Sequence, residues 1–578
     1  MKTGVAKAVG RAATCAALVA ACAPAWLILM YGVDVPYSDQ WNTARFFEKL
    51  TRGSLTFRDL FEQQSEYRQL FPHLIFVALG RLTRWDVRYE MLVSLLLAWV
   101  VALNIRRLGT LGEADPPRRA VLQLLASLLI FSAIQYENWL FGVQVVYFVP
   151  VACVTTGLLL AYHERVGTRA ALVGCAALSV VATFSSANGV VCWAVLPPAL
   201  LAARPGARAA ARRWLPLWCT GLALCAAAYA YGYHTPAGHP RPSEFLSHPL
   251  DALGFFVALL GGPLAVGLSP LAVATLVGAC ALSAYVLACA YVFRFREDRA
   301  LLGRAAVWAA LGAYSLGTAA MVTAGRLGFG LSQSITTRYT TFTLYLLVAL
   351  VYLLPCVIED AARKGRLAAG LRALLGRLAW VTAVLLVLAH VTIFALVVRH
   401  GASNWRRALL RAKACLLFIE VATEERCLVE WLYPDTSVLR ERAGALDRIG
   451  YLRPPLIRDG RVRGLSGAEG CSDDYGSFEL LPGGDGLYAA AGDARLPLRG
   501  EPADAVVLAY GAGEEGQTVF ALAEVGAVDL EGDAGWRKVF PRASLPAVPQ
   551  GVLTAWVFDA ESGKAYRLCG AHEVVDTK

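Results

Sequence analysis

The residues best suited to chemistry fall in four polar segments set between long apolar runs. The first carries Asp34, then Pro36-Tyr37-Ser38-Asp39-Gln40-Trp41-Asn42, then Glu66-Tyr67-Arg68 and Pro72-His73. The second is Gln135-Tyr136-Glu137-Asn138-Trp139, and the third is Ser185-Ser186-Ala187-Asn188. The fourth runs from Arg326 to Thr336-Thr337-Arg338-Tyr339. Asp39, flanked by Tyr37 and Trp41, has the setting of a general base: a carboxylate beside an apolar wall. It also suits the N-cap of a helix beginning near Asn42. Glu137 has no neighbouring cation in sequence, so its partner comes from another segment, with Arg326 and Arg338 the candidates. Arg338 stands among Thr336, Thr337, Thr340 and Thr341, a setting suited to a phosphate oxyanion. Arg326 equally suits an arginine snorkelling to the interface, and Glu66 and Arg68 suit paired charges of a solvated loop. His234, His239 and His248 share one loop with Pro236, Pro240 and Pro249. Their spacing puts them on no single helical face and argues against a metal site.

These segments need a scaffold, and the composition says that it lies in lipid. Of 578 residues, 57% are hydrophobic and 17% charged, with mean hydropathy +0.50. Those values exclude a disordered or collagen-like chain and an ordinary soluble enzyme. A transmembrane helix needs about 20 apolar residues. Such runs fall near 12–33, 87–105, 119–135, 139–161, 169–185, 188–203, 214–233, 268–293, 302–324, 338–358 and 378–398. With the N-terminus in the cytoplasm, the inner turns carry 22 Lys and Arg and the short outer turns carry Arg241, Arg326 and Arg338. That asymmetry fixes the expected orientation. It puts all four polar segments, and the C-terminus, outside the cell. Residues 1–399 hold 34 Lys+Arg against 18 Asp+Glu, and residues 400–578 hold 20 against 26. The basic excess therefore belongs to the membrane turns, and no nucleic-acid partner is expected. Val19-Ala20-Ala21-Cys22 resembles a lipoprotein cleavage site, but the apolar stretch continues to Tyr31, which reads as an uncleaved anchor. Leu70–Leu82 and Pro249–Val266 are too short or too broken to span and read as helices on the outer membrane face.

After Arg399 the texture changes. Residues 400–470 read as a helical stalk, and 471–578 as an extracytoplasmic β-sandwich-like domain with strands at 505–510, 518–522, 551–558 and 565–568. Four cysteines lie here: Cys415, Cys427, Cys471 and Cys569. An oxidising compartment allows two disulfides, and Cys415–Cys427 with Cys471–Cys569 is the preferred of three pairings. No P-loop, dinucleotide fingerprint or GxSxG elbow is present. The expected fold is a polytopic α-helical membrane protein of about eleven spans, with a transmembrane domain at 1–399, a long first outer loop at 34–86, and a C-terminal mainly-β domain.

The pattern resembles the GT-C superfamily of membrane glycosyltransferases, whose donors are polyprenyl-phosphate-linked sugars. The resemblance rests on one span from a cytoplasmic N-terminus, then a long outer loop with Ser38-Asp39-Gln40-Trp41 at its start. Two surface helices follow, Ala44–Leu50 and Phe71-Pro72-His73-Leu74 through Leu82, the second similar to a proline-bearing segment of mannosyl- and aminoarabinosyltransferases. The Glu-Asn-Trp and Thr-Arg-Tyr segments are similar to those of uncharacterised bacterial members. The chain has no adjacent acidic pair at Asp39 and no doubled proline. No cofactor is assigned, and a divalent cation stays open. The resemblance implies a transferase acting in the bacterial cytoplasmic membrane on a cell-envelope glycan or protein acceptor. Asp39 would take the acceptor proton. Arg338, with Arg326 or Arg68, would hold the lipid phosphate. Glu66, Glu137, Asn138 and Asn188 would line the substrate site. A lipid-linked glycan flippase or a non-catalytic envelope assembly protein is the rival. A flippase needs polar groups through the midplane, and an assembly protein leaves the outer carboxylates scattered.

Overall fold

The computed structural model describes residues 3–110, 115–236, 238, 240, 243–265, 269–482, 486–497, 499–512, 516–526, 535–546 and 551–574. His239 and Arg241 lie outside them. The chain divides into two compact units. One comprises 1–32, 56–76 and 88–403, and the other 33–55, 77–87 and 404–578. The division therefore does not follow the linear order of the sequence.

The first unit is helical. Eight of its described helices are long and apolar enough to cross a membrane: Gly4–Tyr31, Arg88–Gly109, Pro116–Trp139, Gly142–Tyr162, Pro270–Arg294, Arg299–Phe329, Thr337–Arg363 and Ala369–Leu417, the last running on into the second unit. The other three expected spans are also helices. Thr168–Thr183 has 16 residues, Val191–Ala203 has 13, and Ala211–Ala230 carries Arg212 and Arg213 in its first turn. Leu70–Thr83 and Pro249–Gly261 form as the shorter helices expected from their broken apolar runs. The protein is thus a polytopic α-helical membrane protein.

Packing inside lipid cannot rest on expelling water, so it uses close backbone approach and buried polar contacts. Gly261 and Gly278 supply the first. A Cβ on either would sit 1.8 Å from a carbonyl oxygen of the facing helix. Asn104 supplies the second, donating to Thr155 and Thr156. Val145–Tyr162 is buried on nearly all sides, which explains its unbroken hydrophobicity. By contrast, Ala369–Leu396 exposes most of its leucines and valines, the surface expected to meet lipid tails.

The second unit is built on two sheets. Ser466–Cys471, Lys564–Arg567, Val552–Asp559, Ala505–Gly511 and Thr518–Ala523 are hydrogen-bonded in that order, with His572–Glu573 added beside Val552–Asp559. Glu479–Pro482, Leu487–Asp493 and Gly535–Pro541 form the smaller sheet. Side chains alternate across a strand. Val506, Leu508 and Tyr510 therefore pack with Tyr488, Trp536 and Phe540 of the smaller sheet. Ala505, Val507 and Ala509 pack on the other face with Ala414, Leu417 and Phe418, which follow or belong to the helix Ser403–Leu417. A strand covered on both faces reads as a continuous apolar run, and Ala505–Gly511 is one. Aromatic contacts draw early segments into this unit. Tyr37 packs edge-on to Trp405 with ring centroids 5.0 Å apart, and Phe47 lies 5.3 Å from Tyr451. Cys415 is bonded to Cys427, and Cys471 to Cys569.

Candidate functional site

In the first unit, three turns remote in sequence are joined by acid–guanidinium pairs. Glu66 lies in the turn between the short strands Gln63–Gln64 and Tyr67–Arg68. Arg326 closes the helix Arg299–Arg326. The two meet in a forked pair, with Arg326 Nη1 and Nη2 donating to Glu66 Oε1 and Oε2 at 3.2 and 2.5 Å. Both side chains are mostly buried. Arg326 also donates to the Tyr67 hydroxyl at 3.5 Å. Burial pushes the Tyr67 phenol well above its ordinary range; Arg326 opposes this, and Glu66 and Tyr339 add to it.

The second pair is looser. Arg338 lies in the single turn Thr337–Tyr339, just before the helix Thr340–Arg363. Its Nε is 3.7 Å from Glu137 Oε2, and its side chain is 45% exposed. Its backbone is held firmly. Asn138 donates to the Arg338 carbonyl at 2.8 Å and to Thr341 Oγ1 at 2.6 Å. Thr341 in turn donates to Gln135 Oε1 at 2.6 Å. The arginine thus has an anchored base and a half-exposed head. Two buried polar atoms flank it with no hydrogen-bond partner among the described residues: Asn138 Oδ1 and Thr337 Oγ1. An orphaned buried polar group costs about 1–3 kcal/mol, so each marks a place where a ligand or water completes the bonding.

The other candidates go elsewhere. Arg68 is buried and donates to the carbonyls of Tyr229, Phe61 and Tyr231. It fastens this loop to the end of the helix Ala211–Ala230. Asn188 donates to the Tyr314 hydroxyl at 3.0 Å. Asp39 belongs to the second unit, inside the turn Ser38–Thr43. Thr43 occupies the N-cap position of Ala44–Thr51, and Asp39 lies in the first turn of the short helix that precedes it. Among the described residues, no three His, Cys, Asp or Glu side chains gather as a metal site. Glu66 and Glu137 each already face an arginine, a donor set that does not fit a divalent cation. Tyr67, Gln135 and Thr341 join the two networks, although the sequence offered them only as neighbours of the candidate residues. Their polar neighbours in sequence were the one available signal.

No protein-family model matches the chain, and no curated protein matches it significantly. Among solved structures, the chain is similar to ArnT from Cupriavidus metallidurans in the apo state, at 15% identity over 60% of this chain and 79% of that one, with a TM-score of 0.27. The same protein bound to undecaprenyl phosphate aligns at 14% identity over 63% and 80%, with a TM-score of 0.25.

Proposed function

We propose that the chain is a membrane glycosyltransferase that moves a sugar from a polyprenyl-phosphate donor to an extracytoplasmic glycan or protein acceptor in the bacterial envelope. The reading is carried by one observation: Arg338, anchored through its backbone and half-exposed at its head, beside the orphaned Asn138 Oδ1 and Thr337 Oγ1. A guanidinium binds phosphate oxygens with two parallel N–H donors. An amide oxygen accepts from a sugar hydroxyl, and a threonine hydroxyl accepts from or donates to one. The leaving lipid phosphate is already a stable anion and needs a cation more than an acid.

The reaction is one displacement at the anomeric carbon. The acceptor oxygen forms a bond to that carbon as the bond to the phosphate oxygen breaks. The acceptor proton passes to a carboxylate base, the role the sequence motif offers to Asp39, and the negative charge leaves on the phosphate. Arg326 has its donor fork and its charge taken up by Glu66, which leaves the phosphate to Arg338. Asp39 takes the base role from its place after the first span in the motif Ser38-Asp39-Gln40-Trp41.

The test is complementation in cells lacking the gene, read as envelope glycan composition. Asp39→Asn and Arg338→Gln should each accumulate in the membrane and fail to restore the missing sugar. Full restoration by both folded variants would overturn the reading. Loss of lipid-linked glycan movement with sugar transfer intact would favour a flippase.

A further inference from the structure

The second unit carries a basic cavity that the transfer reading does not use. We infer that it binds an acidic glycan, a saccharide bearing carboxylate or phosphate groups. The cavity measures about 730 Å³, and Arg458, Arg461, Arg463 and Lys564 line it together with Pro454, Pro455 and Leu456. Asp459 is the one acid on its wall among the described residues. This concentration of cations runs against its surroundings, because residues 400–578 carry 20 Lys+Arg against 26 Asp+Glu.

The wall is built in advance of any ligand. The Leu456 N–H donates to Asp447 Oδ1 at 3.0 Å and the Ile457 N–H to the Leu417 carbonyl at 2.8 Å. The Gly460 carbonyl accepts from Val519 N at 2.8 Å, and Val462 N donates to the Gln517 carbonyl. Val462 is 1% exposed, and this buried side chain pins the backbone between Arg461 and Arg463. On the far side, Gly563 has φ +70°, and a Cβ there would come within 2.9 Å of Pro454. The Ser562–Lys564 turn is therefore fitted against the proline wall, which sets Lys564 at the rim.

Arg458 and Arg461 keep donor capacity for a ligand. Arg461 meets Asp459 only at 3.7 Å with both side chains 73% exposed, a pair worth little in water. Arg458 is held by Asp447 at 2.7 Å and is 59% exposed, leaving donors for a second acceptor. Concavity decides the class of partner. A bilayer surface meets flat or protruding basic faces, whereas an open cavity of this size seats a discrete ligand. Sugar rings offer C–H faces to the proline and leucine wall, and their carboxylates or phosphates meet the rim.

This inference does not depend on the transferase reading, because binding is measured without turnover. The full chain, in nanodiscs of zwitterionic lipid, is titrated with oligogalacturonate and with an uncharged maltooligosaccharide of equal length. Oligogalacturonate should bind, the uncharged sugar should not, and affinity should fall as salt rises. The triple variant Arg461→Ser, Arg463→Ser, Lys564→Ser should bind at least about tenfold more weakly. Arg537→Ser, outside the cavity, should bind as the parent does. Equal binding of the uncharged sugar, an unaffected triple variant, or equal weakening by Arg537→Ser would overturn the inference. So would binding of the detergent-solubilised chain to phosphatidylglycerol vesicles, lost in the triple variant, without any binding of oligogalacturonate.

Discussion

The helices Arg299–Arg326 and Thr340–Arg363 carry charged clusters at both ends, and the two ends are built differently. At one end, Asp360 is buried and surrounded. Lys364 lies 2.9 Å from it, Arg366 3.7 Å and Arg304 3.8 Å, and the Tyr291 hydroxyl donates to it at 2.9 Å. Lys364 also binds Asp298, whose carboxyl it holds below the usual range. At the other end, each of two acids faces an arginine from a remote turn. Glu66–Arg326 is forked and mostly buried, while Glu137–Arg338 is long and half-exposed. The first end has several donors on one acid and reads as a clasp. The second keeps an exposed arginine beside two orphaned polar atoms. Charge alone does not mark a site; unmet bonding capacity next to a charge does.

The comparison can be broken in order of effect. Asp360→Asn leaves three cations facing one another around a neutral group. Breaking a buried pair costs about 3–5 kcal/mol. Thermal unfolding in micelles should show the largest loss of stability of any variant here, with glycan transfer per folded molecule unchanged. A transfer defect without destabilisation would put chemistry at the clasp end. Glu66→Gln strands Arg326 and should cost about 2–4 kcal/mol, again by thermal unfolding. A neutral result would make that pair an ornament of the surface.

A third arginine–carboxylate neighbourhood, in the second unit, sharpens the comparison through pH. Arg499 binds Asp504 at 3.2 Å, Asp559 at 2.8 Å and Glu561 at 3.0 Å. Burial pushes Asp504 up to about 6, against the pull of Arg499 and the Ala560 N–H. A folded pKa above the unfolded value of about 3.9 gives stability that is full below that value and is lost as pH rises through about 6. Asp504→Asn should therefore improve relative to the parent between pH 4 and 7, by roughly 1–3 kcal/mol. A pH-independent difference would contradict the burial argument. The smallest effect belongs to the double-mutant cycle Glu137→Gln with Arg338→Gln. Its coupling energy should stay below about 1 kcal/mol, as for an exposed pair.

The helices were legible because apolar runs near 20 residues have one structural use. The strands at 505–511 and 552–559 were legible as apolar β-branched stretches between turns. The pairing of acids with arginines was not. Glu66 and Arg326 are 260 positions apart, and no local pattern links them. Sequence offered Glu137 two arginines, and only the fold gives it Arg338 and sends Arg326 to Glu66. Asp360 was hidden because the cations around it read as orientation signals of the inner turns. The gathering of 33–55 and 77–87 with 404–578 was hidden too. It rests on contacts such as Tyr37 with Trp405 and Trp431, and Asn42 with Arg442 at 2.9 Å, which depend on the fold rather than on neighbours in sequence. Arg68 was hidden in the opposite way. A charge in a polar loop suggested a substrate, and its donors go to carbonyls.

The central claim is that Arg338 holds a lipid phosphate. The direct measurement is binding of a short polyprenyl phosphate to the full chain in nanodiscs, parent against Arg338→Gln, with thermal unfolding as the control. Affinity should fall at least about tenfold in the variant, with its unfolding temperature near that of the parent. Equal affinity in a folded Arg338→Gln protein would contradict the account.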